Sequence, residues 1–217
     1  MILSGPEILN QIEQGRINID PFNETHVNPA SVDLTLGTEV AVYHQFSSRE
    51  PGPADLLEEH QGVSRGVKIL PYRSAPPLDT KQKPIIRRYT IDPEMGWVLN
   101  PGVGYLMHTA EKVGTNFYVP ILDGKSSIGR LFIKVHETAG FGDPGFHGQY
   151  TLEVTSQFPV TVYAGMRICQ IRFHAIQGQI QNYQGKGNYT GNMAVGPVVS
   201  QAWKSAFKLS DAKKLLK

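Results

Sequence analysis

Lys125, Ser126, Ser127 and Arg130 bring two cations and two hydroxyls together at the start of the run Asp123 to Val154, DGKSSIGRLFIKVHETAGFGDPGFHGQYTLEV. Cations and hydroxyls at this density suit phosphate oxygens. Farther along the run, Asp143 sits in a Gly/Pro turn and Glu153 in an alternating segment. Carboxylates placed beside such a cluster can carry protons. Residues 125–129 are expected to form one helical turn, whose starting N–H groups suit a phosphate. The plainer alternative is a loop whose serines cap a turn. For Glu153 the ordinary fate is solvent or a salt bridge.

The elements that must position these groups are short. Ser4-Gly5-Pro6-Glu7 is a capping box with proline in the first turn, and Ile8, Leu9 and Ile12 follow at helical spacing. This predicts an amphipathic helix over about 5–14, ended by Gly15. Ala30 to Gly37 alternates with period two and predicts a strand that carries Asp33. Asp33 is read either as a carboxylate tied to a backbone turn, the plainer reading, or as an outer-shell ligand for a phosphate-bound metal. Further strands are expected near 85–91, 96–99 and 103–110, Val119 to Leu122 is apolar and leads into the 123–154 run, and Leu131, Ile133 and Val135 alternate within it. In 149–154, Tyr150, Leu152 and Val154 share one face, and Thr151 and Glu153 the other. Residues 160–163 and 167–173 read as a hairpin about Gly165. Gly140-Phe-Gly-Asp-Pro-Gly145 matches G-x-G-x-x-G, but Pro144 and the alternation after it predict a turn into a strand, not a dinucleotide loop. Its glycines instead permit a tight turn or close ligand approach.

Residues 44–84 hold Pro51, Pro53, Pro71, Pro76, Pro77 and Pro84 among scattered charges, and read as a loop-rich insertion. Residues 181–201 are rich in Gly, Asn and Tyr and read as a mobile tail that orders over a ligand. Residues 202–215 are expected to form a basic terminal helix with a solvated face. The whole reads as one mainly β domain spanning 1–217, with a short helix at each end. Lys plus Arg is 21 against 19 for Asp plus Glu, a formal charge of +2 that argues against a nucleic-acid surface as the main function. A single cysteine, Cys169, excludes a disulfide framework and a cysteine-based zinc site. Neither a signal peptide nor a membrane span is expected, so the reading is cytoplasmic, with no membrane partner.

Lys125-Ser-Ser-Ile-Gly-Arg130, Thr138-Ala139, Asp143-Pro-Gly-Phe146 and Thr151-Leu-Glu153 together resemble the dCTP deaminase branch of the trimeric dUTPase superfamily. Ala30-Ser-Val-Asp33-Leu34 and Arg167-Ile-Cys-Gln170 resemble the first and fourth dUTPase motifs. Order and spacing agree from about residue 28 to 200. The resemblance implies a distorted, dUTPase-like β-barrel assembled as a homotrimer. Active sites would lie between subunits, with magnesium bound through the triphosphate and no zinc. The zinc-deaminase signature is indeed missing from the sequence.

By the same resemblance, Glu153, Ser126, Arg130 and the Ala139 carbonyl carry out deamination. Asp143 holds the sugar 3′-hydroxyl and helps orient an attacking water, and Phe146 packs on the deoxyribose. Lys125, Ser127, Gln170, Tyr183 and Lys186 contact phosphates, and Thr138 and Asn192 line the nucleotide. Gly140-Phe141 after Thr138-Ala139 resembles members that deaminate dCTP and also cleave dUTP to dUMP and pyrophosphate. A deaminase that stops at dUTP is the first alternative, a dUTPase without deamination the next, and a nucleotide sensor without turnover the last. dTTP is the inhibitor the family implies. Four positions depart from the pattern. Gly142 replaces an apolar residue, which predicts a looser turn. Glu137 replaces another and adds a repelling charge near the base pocket. Asn192 replaces a Gln, and Gly187-Asn188 separates Lys186 from Tyr189. These departures leave a modified cytosine nucleotide open as the substrate.

Overall fold

The structure, a computed structural model, describes residues 1–43, 86–183, 189 and 196–198. The chain divides into two units, one of residues 1–41 and 88–198, the other of residues 42–87 and 199–217. The insertion at 44–84 and the terminal helix at 202–215 lie outside the described residues, so the fold below is that of the first unit.

Helix α1 (Gly5–Glu13) forms where the capping box predicts it. The Glu7 N–H donates to Ser4 Oγ at 3.4 Å, and Ile8 is fully buried. Among the described residues twelve strands follow in chain order: β1 (Ile17–Asp20), β2 (Val27–Asn28), β3 (Ser31–Thr35), β4 (Glu39–Tyr43), β5 (Ile86–Thr90), β6 (Trp97–Leu99), β7 (Tyr105–Thr115), β8 (Tyr118–Gly124), β9 (Ile133–Lys134), β10 (His147–Ser156), β11 (Val160–Val162) and β12 (Arg167–Ala175). A single helical turn, α2 (Ser126–Gly129), joins β8 to β9. The strands make three sheets. The six-stranded sheet runs β5-β4-β7-β10-β9, with β1 also on β7. The four-stranded sheet runs β2-β3-β12-β8, and β6 pairs β11. β1, β2 and β4 have no counterpart in the sequence reading, while β9 falls within the alternation over Leu131, Ile133 and Val135.

Two expectations change. The fold is mainly β, but among the described residues the strands do not close into a barrel. The two large sheets keep separate hydrogen-bonded paths. One joint between them is Glu111 of β7, which is 5 % exposed. Its carboxylate accepts the Thr35 N–H at 2.9 Å and the Thr35 hydroxyl at 2.7 Å, from β3 in the other sheet. Those bonds offset the desolvation of a buried charge. Backbone joins them at the Leu36–Thr109 bridge, where the Gly37 N–H donates to His108 O at 2.8 Å.

The hairpin about Gly165 is also absent. Gly165 does turn the chain, with φ +81°. However, its N–H donates to Leu36 O at 2.7 Å, which ties the turn to the end of β3. β11 therefore stays with β6, while β12 crosses to lie between β3 and β8.

Elsewhere the alternation holds. Leu152 and Val154 of β10 are fully buried, whereas Thr151 and Glu153 are half-buried on the other face. No described helix is long and apolar enough to cross a membrane.

His108 of β7 is buried, and its two ring nitrogens face different partners. Nδ1 lies 2.8 Å from Thr109 O and must donate to it, so Nε2 accepts the Glu39 N–H at 3.2 Å. Burial holds this imidazole below its ordinary value, against the opposing pull of the Thr109 carbonyl. The unfolded state therefore binds the proton first, at about pH 6.5. The neutral ring's contribution is present above that pH and is lost as pH falls below it. Urea midpoints are expected to drop between pH 7.5 and 5.5, and a His108→Gln variant should show a shallower drop.

Candidate active site

The site is built along β10 and the chain that precedes it. α2 begins at Lys125, whose extended backbone (φ −93°, ψ 143°) serves as N-cap without a side-chain cap. Buried Ile128 pins the turn, leaving Ser126, Ser127 and Arg130 exposed. The chain leaves through Phe132, at φ +57° the one described non-glycine residue in the left-handed region. Such a conformation costs about 1–2 kcal/mol in a bulky residue. Two backbone bonds hold it, Phe132 N–H to Gly129 O and Gln157 N–H to Phe132 O, together with an edge-to-face contact with Phe158 at 5.6 Å. This bend sends the chain into β9, which pairs with Thr155 and Ser156 of β10.

From β9 the chain runs back along β10 past Glu153. The Glu153 N–H donates to Val135 O at 3.1 Å, and the Glu137 N–H donates to Glu153 Oε2 at 3.0 Å. Glu153 is thus a carboxylate with one oxygen fixed by a backbone amide. Among the described residues no hydrogen bond or ion pair joins it to Ser126 or Arg130. The Glu137 carboxylate, expected as a repelling charge, accepts from Thr155 Oγ1 at 2.7 Å and lies 3.6 Å from Lys134 Nζ. Thr138 and Ala139 are exposed beyond it.

Residues 140–142 then lie against β8. The Leu122 N–H donates to Gly140 O at 2.7 Å, and the Gly142 N–H to Pro120 O at 2.8 Å. A Cβ on Gly140 would collide with the Leu122 carbonyl, so here glycine permits the close approach. Gly142 does not loosen the turn as expected. A Cβ there would fall 2.6 Å from the Tyr150 hydroxyl and 2.9 Å from Pro120 Cγ, so a neighbour already fills the space. That hydroxyl is buried and has no hydrogen-bond partner among the described residues. Burial, and after it the charge of Asp143, push the phenol well above its ordinary value, so it stays protonated.

Asp143 is exposed at the head of its turn, where its carbonyl accepts the Phe146 N–H at 3.2 Å. Phe146 packs edge-on against Tyr150 at 5.1 Å and Tyr183 at 6.4 Å. Tyr183 N–H donates to Pro144 O at 2.7 Å, which brings the start of the tail onto this turn. The tail touches β10 again. Gly196 N–H donates to Gln149 Oε1 at 3.0 Å and Val198 N–H to Thr151 Oγ1 at 2.9 Å. Lys186 and Asn192 lie outside the described residues.

Two of the expected phosphate ligands are engaged within the chain. Lys125 Nζ is ion-paired with Asp33 Oδ1. Gln170 accepts from Ser31 Oγ at 2.8 Å and donates to Gly124 O at 2.9 Å, bracing the start of the 125–130 turn. Asp33 is 2 % exposed and also accepts from Asn28 Nδ2 at 2.8 Å and Arg167 at 3.4 Å. Both its oxygens thus accept from donors within the chain, which fits an anchor for the turn. Among the described residues no group of three or more His, Cys, Asp or Glu could hold a metal ion. The sequence reading missed Asn28, Glu111 and Thr155. Thr155 could have been found, since it lies on the Glu153 face two residues on.

A family model described as dCTP deaminase-like matches residues 2–176. The chain belongs to the dCTP deaminase-like family. It is 39 % identical over 197 residues to a Leptospira biflexa protein named dCTP deaminase, dUMP-forming, a match covering 91 % of this chain and 94 % of the relative. A Clostridium botulinum protein of the same name is 40 % identical, covering 91 % of this chain and 95 % of the relative. Among solved structures, the 2′-deoxycytidine 5′-triphosphate deaminase of Agrobacterium tumefaciens superposes with a TM-score of 0.52 at 23 % identity. That match covers 82 % of this chain and 49 % of the other, so this chain spans about half of that one's length, and the likeness supports the fold.

Proposed function

We propose that the protein hydrolyses dCTP to dUTP and ammonia without zinc, then cleaves dUTP to dUMP and pyrophosphate. The observation that carries this reading is Glu153, a half-buried carboxylate with Oε2 held by the Glu137 amide. Its other oxygen takes a proton from the water that attacks the ring carbon bearing the amino group. Glu153 passes that proton to the ring nitrogen, then takes the remaining hydroxyl proton of the tetrahedral intermediate and gives it to the amine, which leaves as ammonia. Ser126 and the Ala139 carbonyl hold the water and the amino group, and Arg130 supplies positive charge.

In the second reaction Asp143 binds the sugar 3′-hydroxyl and orients water, while Phe146 packs on the deoxyribose. Ser127, Thr138, Tyr183, Lys186 and Asn192 hold the rest of the nucleotide. Lys125 and Gln170 reach phosphate by exchanging their partners within the chain. Magnesium arrives on the substrate triphosphate and screens its charge. The exposed Ser126 and Arg130 fit a homotrimer with sites between subunits, and dTTP is the inhibitor of such an enzyme.

The names of the relatives, dUMP-forming, favour two reactions over one. Incubation with dCTP and magnesium, followed by chromatography, is expected to yield dUMP, pyrophosphate and ammonia. Accumulated dUTP would mean deamination alone, and unchanged dCTP would turn the reading into that of a sensor.

A further inference from the structure

We propose that Glu137 and Thr155 form a clasp that positions the carboxylate of Glu153. The inference rests on Glu153 acting as the base. The backbone ladder between β9 and β10 pairs Ile133 with Ser156 and Lys134 with Thr155, and continues with Glu153 N–H to Val135 O. One step later the pattern changes. The next donor, Glu137 N–H, bonds the Glu153 side chain at 3.0 Å. The Glu137 side chain turns back onto the same strand, where Thr155 Oγ1 donates to its Oε1 at 2.7 Å. Two strand side chains, two residues apart, thus grip one residue of the neighbouring segment, one by its amide and one by its carboxylate.

The clasp does two things. It fixes Oε2 of Glu153 and leaves Oε1 to accept a proton. It also fixes the second carboxylate on Thr155, since without that donor Glu137 keeps, among the described residues, only Lys134, at 3.6 Å on an exposed surface. A salt bridge so exposed contributes little. Glu137 also precedes Thr138 and Ala139, so the same grip sets where the Ala139 carbonyl lies.

The test uses the full chain with dCTP and magnesium, and variants chosen by hydrogen-bonding capacity. Thr155→Val removes the donor at nearly constant shape, and Thr155→Ser keeps it. Glu137→Ala removes the acceptor, and Glu137→Gln keeps an acceptor without charge. Misplacing a base lowers turnover more than binding, so Thr155→Val and Glu137→Ala are expected to lose about tenfold in kcat with KM within about twofold. Thr155→Ser and Glu137→Gln are expected to stay near the parent. Exchange of the Glu137 amide hydrogen, followed by NMR, reads the clasp without turnover. It should be slow in the parent and in Thr155→Ser, and about tenfold faster in Thr155→Val. Parent-like kcat and amide exchange in Thr155→Val would overturn the proposal, as would equal losses in Glu137→Gln and Glu137→Ala. Glu153→Gln, assayed alongside, separates the two ideas. If it remains active, the base itself is misassigned. If it is inert while all four other variants match the parent, only the clasp is wrong.

Discussion

Replacing Glu153 by Gln is expected to lower dCTP deamination by about 10³-fold, within the range for a positioned general acid–base, or about 4 kcal/mol of barrier. Gln preserves the size of the side chain and an oxygen to accept the Glu137 N–H, so the segment from Val135 to Ala139 should keep its place on β10. What the amide cannot do is take the proton from water and hand it on. Nucleotide affinity should therefore change by no more than a few-fold, and the melting temperature by no more than a few degrees. Ammonia release measured under single-turnover conditions, beside equilibrium binding of dCTP, checks both halves. A fully active Glu153→Gln enzyme would remove the basis of the proposed chemistry.

The second large effect concerns stability. The Asp33 side chain is 1 % exposed, that of Lys125 20 % and that of Arg167 54 %. Lys125→Met takes the closer cation from a buried carboxylate and leaves it to Asn28 and the more exposed Arg167. Breaking a fully buried pair this way costs about 3–5 kcal/mol. Because Lys125 is partly exposed and two donors remain, about 2–3 kcal/mol is expected here. Asp33→Asn should cost less, since the cations it releases reach solvent. The double variant should be more stable than the two separate losses predict, because the unpaired charge is gone. Urea unfolding of the four proteins measures the coupling, and strictly additive losses would mean that the pair anchors nothing. Activity should fall as well, since Lys125 begins the turn that presents Ser126 and Arg130.

Much of this site could be read from residue order because the signals were local. The alternation over Gln149–Val154 put Leu152 and Val154 inside and Glu153 outside, and the 125–129 turn formed around buried Ile128. What could not be read was the choice of partners. Residues 160–163 and 167–173 have the pattern of a hairpin, but Gly165 is tied to Leu36, so a contact distant in sequence decides which sheet each strand joins. Barrel closure failed as an expectation for a similar reason, since the joint at Glu111 is a side chain reaching Thr35 and leaves no mark in strand periodicity. Lys125 read as a phosphate ligand because its type suits one. Its pairing with buried Asp33 depends on β3 lying beside β12 and β12 beside β8.

The contact between Gly142 and the Tyr150 hydroxyl bears on how this chain can vary. A Cβ gained at 142 would also meet Pro120 Cγ at 2.9 Å, so a smaller residue at 150 would relieve only one of the two collisions. A side chain at 142 therefore needs room from strand β8 as well as from Tyr150, which ties the bareness of this position to two neighbours at once.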